Sequence, residues 1–131
     1  MSNLSVIMAT YNENRGFLQN CIQSILNQTY GDFEFLIVIE PGESNIDYLN
    51  HVSVADNRIR IIENTSRLGV AASRNRAIME SRGKYVALID GDDYCDVNRF
   101  EKQIAFLERN PEISVVGSNM FLVDEKDNIV G

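Results

Sequence analysis

The run from Phe33 to Ile39 is apolar at every position but Glu34. A strand with one face in water alternates apolar and polar residues, so a run without alternation must be covered on both faces. Glu40-Pro41-Gly42 then stops it with turn formers. Just upstream, Phe17, Leu18, Cys21, Ile22, Ile25 and Leu26 recur at helical spacing, and the segment closes through Gln28-Thr29-Tyr30-Gly31-Asp32. The same alternation of short apolar runs and helical segments continues along the chain. Leu4 to Met8 reads as a strand interrupted by Ala9-Thr10-Tyr11-Asn12, Ile59 to Ile62 as a third strand, and Tyr85 to Ile89 as a fourth. Asn45 to Asp56 is weakly patterned, with room for a short helix. Val70 to Ser81 is an alanine-rich helix ending at Arg82-Gly83. Asp96 is placed as the N-cap of a helix carrying Phe100, Ile104 and Leu107 up to Asn110-Pro111. Ile113 to Val116 and Met120 to Val123 read as further strands, Asp124 to Asn128 as a polar turn, and Ile129-Val130 as the start of another element. Such an order predicts an α/β fold, a mostly parallel sheet flanked by helices, in one domain over residues 1–131.

Composition narrows the partners. At 131 residues and 44% hydrophobic content, one core is the natural outcome. The net charge of −7 disfavours nucleic acid or an anionic membrane surface as the main partner, and a phosphate ligand needs a cation between it and the protein. The sequence contains no apolar run of about eighteen residues and no basic segment leading into an apolar one at its start. A cytoplasmic protein is the default, with peripheral membrane association left open to a full-length form. Cys21 and Cys95 have neither metal nor redox spacing, and Cys21 falls on the apolar helical stripe of a buried free thiol. The oligomeric state is not readable.

In an open parallel sheet, ligands bind beyond the carboxyl ends of the strands. The first strand delivers Thr10, Tyr11 and Asn12 there, the second Glu40, and the fourth Asp90, Gly91, Asp92 and Asp93. Carboxylates so close together repel unless they are solvated or a divalent cation neutralises them. Oxygen-only ligation completed by water and phosphate suits Mg²⁺ or Mn²⁺. An acidic turn is more often simply solvated, but its place after a buried strand reverses that expectation. A calcium loop is disfavoured because Cys95 stands where glycine is required and a strand, not a helix, precedes. Tyr11 could pack its loop or stack on a base, and Arg74 could be a surface cation or a phosphate contact. His51, the sole histidine, reads as a surface residue and is given no role.

Four strings, Val6 to Glu13, Leu26 to Glu34, Gly69 to Asn75 and Gly83 to Asp93, together resemble glycosyltransferase family 2, whose nucleotide-binding half has the GT-A fold. The resemblance covers residues 4 to about 110. It implies that Asp90 and Asp92 form the family's aspartate-any-aspartate motif around Gly91, with Asp92 the direct metal ligand and Asp90 nearer the ribose and the metal shell. It also implies that Thr10 and Tyr11 line the nucleobase pocket and that Arg74 reaches the nucleotide. Where the family usually carries two aspartates after the second strand, this chain has Ile39 and Glu40, and Ala9 stands where proline is common. Glu40 is therefore taken as the remaining acid of that pocket.

The implied activity is transfer of a sugar from a nucleoside diphosphate donor, a UDP-sugar first, to an acceptor hydroxyl of a glycan, lipid or other compound, with metal assistance and inversion. The family's general base is expected downstream with the acceptor half. The chain thus reads as a truncated form of the fold, and no catalytic residue is assigned within it. Two alternatives stand beside this one. A non-catalytic nucleotide-binding module would look the same over these residues. A phosphatase of the haloacid dehalogenase type would use Asp90 and Asp92, but Tyr94 occupies the place of its small β-branched residue.

Overall fold

A computed structural model describes residues 2–131. The elements are β1 (Leu4–Thr10), α1 (Arg15–Leu26), β2 (Phe33–Ile39), α2 (Ile46–Ala55), β3 (Ile59–Glu63), α3 (Val70–Glu80), β4 (Tyr85–Leu88) and α4 (Arg99–Arg109). The four strands form one parallel sheet in the order β3-β2-β1-β4. Two compact units divide the chain, one running to Glu101 and the other starting at Lys102, so the boundary falls within α4.

The absence of alternation in β2 has the expected cause. Ile7, Leu36, Val38 and Ile62 form a buried cluster with Ala77 of α3 on one face of the sheet. On the other face α1 buries Leu18, Cys21, Ile22 and Ile25, and its Cys21 Sγ lies 3.8 Å from Met8 Sδ. α1 begins where the Asn14 side chain accepts a hydrogen bond from the Phe17 amide at 3.1 Å, which satisfies one of the donors left open at a helix start. Burying an aliphatic side chain in such a layer contributes on the order of 2 kcal/mol, so the central strands dominate the stability of this unit.

Register sets the site. β1 and β2 pair from Leu4 opposite Phe33 to Thr10 opposite Ile39, so Tyr11 and Glu40 leave the sheet at the same level. β4 stops at Leu88, opposite Ile7, while β1 continues to Thr10. The turn after β4 is therefore laid along the last residues of β1. The strand order reverses between β1 and β4, which makes a switch point of the kind where open α/β sheets bind ligands.

The weakly patterned stretch from Asn45 does hold a helix, α2, with Leu49 and Val52 buried. One expectation fails. Ile113 to Val116 and Met120 to Val123 form no strands, and only an isolated antiparallel bridge joins Val123 to Ile129. A strand needs a ladder partner as well as apolar side chains, and Val115 and Met120 stand 85% and 80% exposed. Asp96 caps the turn that leads into α4: its Oδ1 accepts from the Asn98 amide at 2.9 Å and its carbonyl from the amide of Arg99, the first residue of α4, at 3.1 Å. In the second unit, Asp124 forms the turn foreseen there, accepting from the Lys126 and Asn128 amides at 2.8 and 2.9 Å.

Candidate functional site

Each loop that follows a strand at one rim of the sheet carries polar residues. At the end of β1, Thr10 is buried with its Oγ1 lacking a hydrogen-bond partner among the described residues, and Tyr11, just beyond, is 39% exposed. Asn12 takes a left-handed conformation at φ 51°, which asparagine tolerates better than most residues. Its amide donates to Glu43 Oε2 at 2.5 Å and its side-chain oxygen accepts from the Ser44 amide at 2.7 Å, which ties this loop to the one after β2.

Thr10, Tyr11 and Glu40 meet at a cavity of about 100 Å³, completed by Ala9, Arg67, Gly69, Val70 and Ser73. Glu40 is buried and heavily engaged. Its Oε2 accepts from the amides of Leu68 and Gly69 at 2.9 and 3.0 Å, and its Oε1 accepts from the side-chain amide of Asn64. The Gly69 amide, the Asn64 amide, and to a lesser degree the Leu68 amide and the charge of Arg67, hold the carboxyl below its ordinary value, against the opposing effect of burial. Asn64 also donates to Ser73 Oγ at 2.9 Å and accepts from Arg76 at 2.8 Å, so residues 64–69 are fastened to the start of α3. Gly69 has φ 83°, where a side chain would be strained.

The turn after β4 supplies the second part. Asp90, Asp92 and Asp93 are exposed, and one carboxylate oxygen from each lies within 4.8 Å of the others. Burial, followed by repulsion from Asp92 and Asp90, raises the Asp93 carboxyl above its ordinary value. An exposed oxygen-only set of this density fits a hard divalent cation. Arg74, reaching from α3, forms an ion pair with Asp90, and its Nε is buried without a hydrogen-bond partner among the described residues. Gly91 packs closely on β1: a Cβ there would lie 3.2 Å from Thr10 Oγ1 and 3.5 Å from Met8 Sδ. The acidic turn is therefore in contact with the end of β1.

The segment after the turn is tied to α1. Ser24 Oγ accepts from the Cys95 amide at 3.0 Å, Gln28 donates to the Asp96 carbonyl at 2.6 Å and accepts from the Phe100 amide at 3.1 Å, and the Thr29 amide donates to the Val97 carbonyl at 2.9 Å. The Cys21 thiol donates to the Asp90 carbonyl at 3.4 Å. Burial above all, then the charges of Cys95 and the three aspartates, pushes that thiol well above its ordinary value, so it stays protonated.

Thr10, Tyr11, Glu40, Arg74, Asp90, Gly91 and Asp92 thus stand at one rim, in two adjoining groups. His51 is exposed on α2, outside the loops that build them. Sequence reasoning missed Arg67, Asn64 and Ser73. Arg67 and Asn64 lie in or beside a turn-rich stretch with no periodicity, and Ser73 sits within a helix where a serine carries no signal of its own.

The family model for glycosyl transferase family 2 matches residues 5–130. A relative described as an uncharacterized glycosyltransferase of Methanocaldococcus jannaschii is 41% identical over 129 residues, covering 97% of this chain and 44% of the relative. Among solved structures, Staphylococcus aureus TarS 1-349 in complex with UDP superposes with a TM-score of 0.74 at 21% identity, over 85% of this chain and 33% of that one. A mannosyltransferase from Pyrobaculum calidifontis in complex with GDP-Man and Mn²⁺ gives 0.72 at 21% identity, over 80% and 32%. The chain spans less than half the length of each. The structural likenesses establish the GT-A fold, and the family match takes the aspartates after β4 out of a phosphatase motif. With the fold, the rim and the sequence match in agreement, the chain belongs to glycosyl transferase family 2.

Proposed function

We propose that this chain is the donor-binding part of an enzyme that transfers a sugar from a nucleoside diphosphate, with a UDP-sugar as the leading candidate, to a hydroxyl of a glycan, lipid or other acceptor. The observation that carries the reading is the convergence of Asp90, Asp92 and Asp93 at the switch point, next to Arg74 and against the end of β1, from which Tyr11 follows. In this reading the Tyr11 ring and the Thr10 segment receive the base, and Glu40 maintains the pocket wall. Arg74 supplies the cation that a phosphate needs against a net charge of −7. Asp92, with Asp90, would hold Mn²⁺ or Mg²⁺, which when bound would supply Lewis-acid neutralisation of charge on a departing diphosphate. Gly91 lets ligand and backbone approach. Inversion requires a carboxylate base on the opposite face of the sugar, and none of these residues is assigned that role. The nucleotide and Mn²⁺ in the two solved structures support the class of ligand.

No helix among the described residues is long and apolar enough to cross a membrane. A cytoplasmic location, peripheral to a membrane in a longer protein, is part of the same proposal.

Calorimetric titration of UDP and GDP, with and without Mn²⁺, tests the reading on the wild type and on Asp92→Ala. The expected result is metal-dependent binding, weakened by about tenfold or more in the variant. A folded wild-type chain that binds neither nucleotide sinks the assignment. Binding that is indifferent both to Mn²⁺ and to Asp92→Ala favours a nucleotide-binding module without metal chemistry.

A further inference from the structure

β4 is the last strand of the sheet, so among the described residues no neighbouring strand steadies its outer edge where the chain turns into the aspartates. A side chain from the start of α4 reaches that edge instead. The Arg99 guanidinium donates from Nη2 to the Leu88 carbonyl at 3.3 Å and from Nη1 to Cys95 Sγ at 3.2 Å. Leu88 ends β4 and Cys95 lies just past the acidic turn, so the two contacts clasp the segment that carries Asp90, Asp92 and Asp93 from both ends. A guanidinium can do this because it holds five N–H donors in a fixed plane, whereas an ammonium is a single nitrogen. The backbone that carries the clasp is itself anchored. The Arg99 amide donates to the Asp96 carbonyl at 3.1 Å, and Phe100 gives its amide to Gln28 and sets its buried ring edge-on against Phe33.

The charge of Arg99 acts in the opposite direction from its bonds. It lies close enough to Asp93 to offset part of the repulsion from Asp92 and Asp90, so a cation held by these carboxylates meets a like charge. By Coulomb's law alone an arginine in that place weakens cation binding. It helps only if the geometry it imposes returns more than its charge removes.

We propose that Arg99 is a positioning residue for the divalent cation of the donor site, clasping Leu88 and Cys95 so that the carboxylates between them keep the convergence that the ion requires. The inference rests on the donor-site reading and extends it to a residue that touches neither ion nor nucleotide. Charge and geometry predict opposite signs when Arg99 is removed, and the sign is measurable.

The quantity to measure is the gain in nucleotide affinity on adding Mn²⁺, by calorimetry with UDP or GDP, whichever binds tighter. The proteins are the wild type, Arg99→Ala, Arg99→Lys and Asp92→Ala, each first shown to be folded by its thermal transition. Arg99→Ala is expected to cut the gain about tenfold, the scale of losing a group that supports metal ligands, and to leave binding without Mn²⁺ within about twofold. Arg99→Lys keeps the charge without the fork and recovers only part of the loss; it carries the test should Arg99→Ala not fold. In the absence of ligand, hydrogen exchange at the Asp93 amide, which donates to the Asp90 carbonyl at 3.1 Å, is expected to quicken about tenfold in Arg99→Ala.

A gain from Mn²⁺ that is unchanged or larger in Arg99→Ala overturns the proposal, the larger gain marking a charge and nothing more. So does an equal loss with and without Mn²⁺, which marks a defect of the fold, or full recovery in Arg99→Lys, or unchanged exchange at Asp93. A wild type that gains nothing from Mn²⁺ removes the metal from the donor-site reading and this inference with it. A gain lost in Asp92→Ala but kept in Arg99→Ala removes this inference alone.

Discussion

Glu40 sets its Oε2 on the Leu68 and Gly69 amides at 2.9 and 3.0 Å. Because these bonds and the Asn64 amide lower its folded pKa, the sign of the pH effect follows. The stabilisation is complete above the ordinary glutamate value of 4.5 and is lost as pH falls from there through the lower folded value. The difference in urea midpoint between wild type and Glu40→Gln is therefore expected to be constant near neutrality and to shrink below pH 4.5. A difference that does not change with pH would refute this account. Gly83 gives the opposite lesson at the same scale. It reads as the glycine that ends α3, yet a Cβ there would fall 2.6 Å from the Ser5 amide nitrogen and 2.7 Å from the Leu4 carbonyl carbon. Its amide donates to Ser5 Oγ, and Ser5 in turn donates to Glu34, at 2.8 and 2.5 Å. The glycine is needed because two backbones pass closely, a relation between residues 78 apart that no local pattern carries.

At the level of elements, the strands and helices that face the core were legible because burial imposes a period. β2 could be read to the residue, and α1 from its stripe. What escaped were the bonds that connect loops to elements. Gln28 looked like part of a helix-closing turn, but it joins the end of α1 to Asp96 and Phe100 and is only 6% exposed. Gln28→Ala leaves the Phe100 amide without its partner, at a cost of about 1–3 kcal/mol. Hydrogen exchange is expected to accelerate at Phe100, with the thermal midpoint lowered. Unchanged protection at Phe100 would show that Gln28 does not hold this segment. Asp96 was legible because an aspartate before a helix satisfies the open amides of its first turn, as its bond from the Asn98 amide does.

Across the whole molecule, the candidate site was legible to the extent that topology alone builds it. Parallel strands send all the following loops to one rim, so Thr10, Tyr11, Glu40 and the aspartates had to gather there. Arg67 lay beyond reach because an aperiodic loop gives no direction to its side chains. The arrangement of α1 against the acidic turn has a practical consequence. Cys21 is fully buried with its thiol on the Asp90 carbonyl, whereas Cys95, the other free cysteine, is half-buried. A thiol reagent should modify Cys95 readily and Cys21 only when α1 parts from the turn, so in a Cys95→Ser background the labelling rate of Cys21 becomes a clock for that opening. Mn²⁺ with nucleotide is expected to slow the clock, and an unchanged rate would mean that the turn opens independently of what it binds.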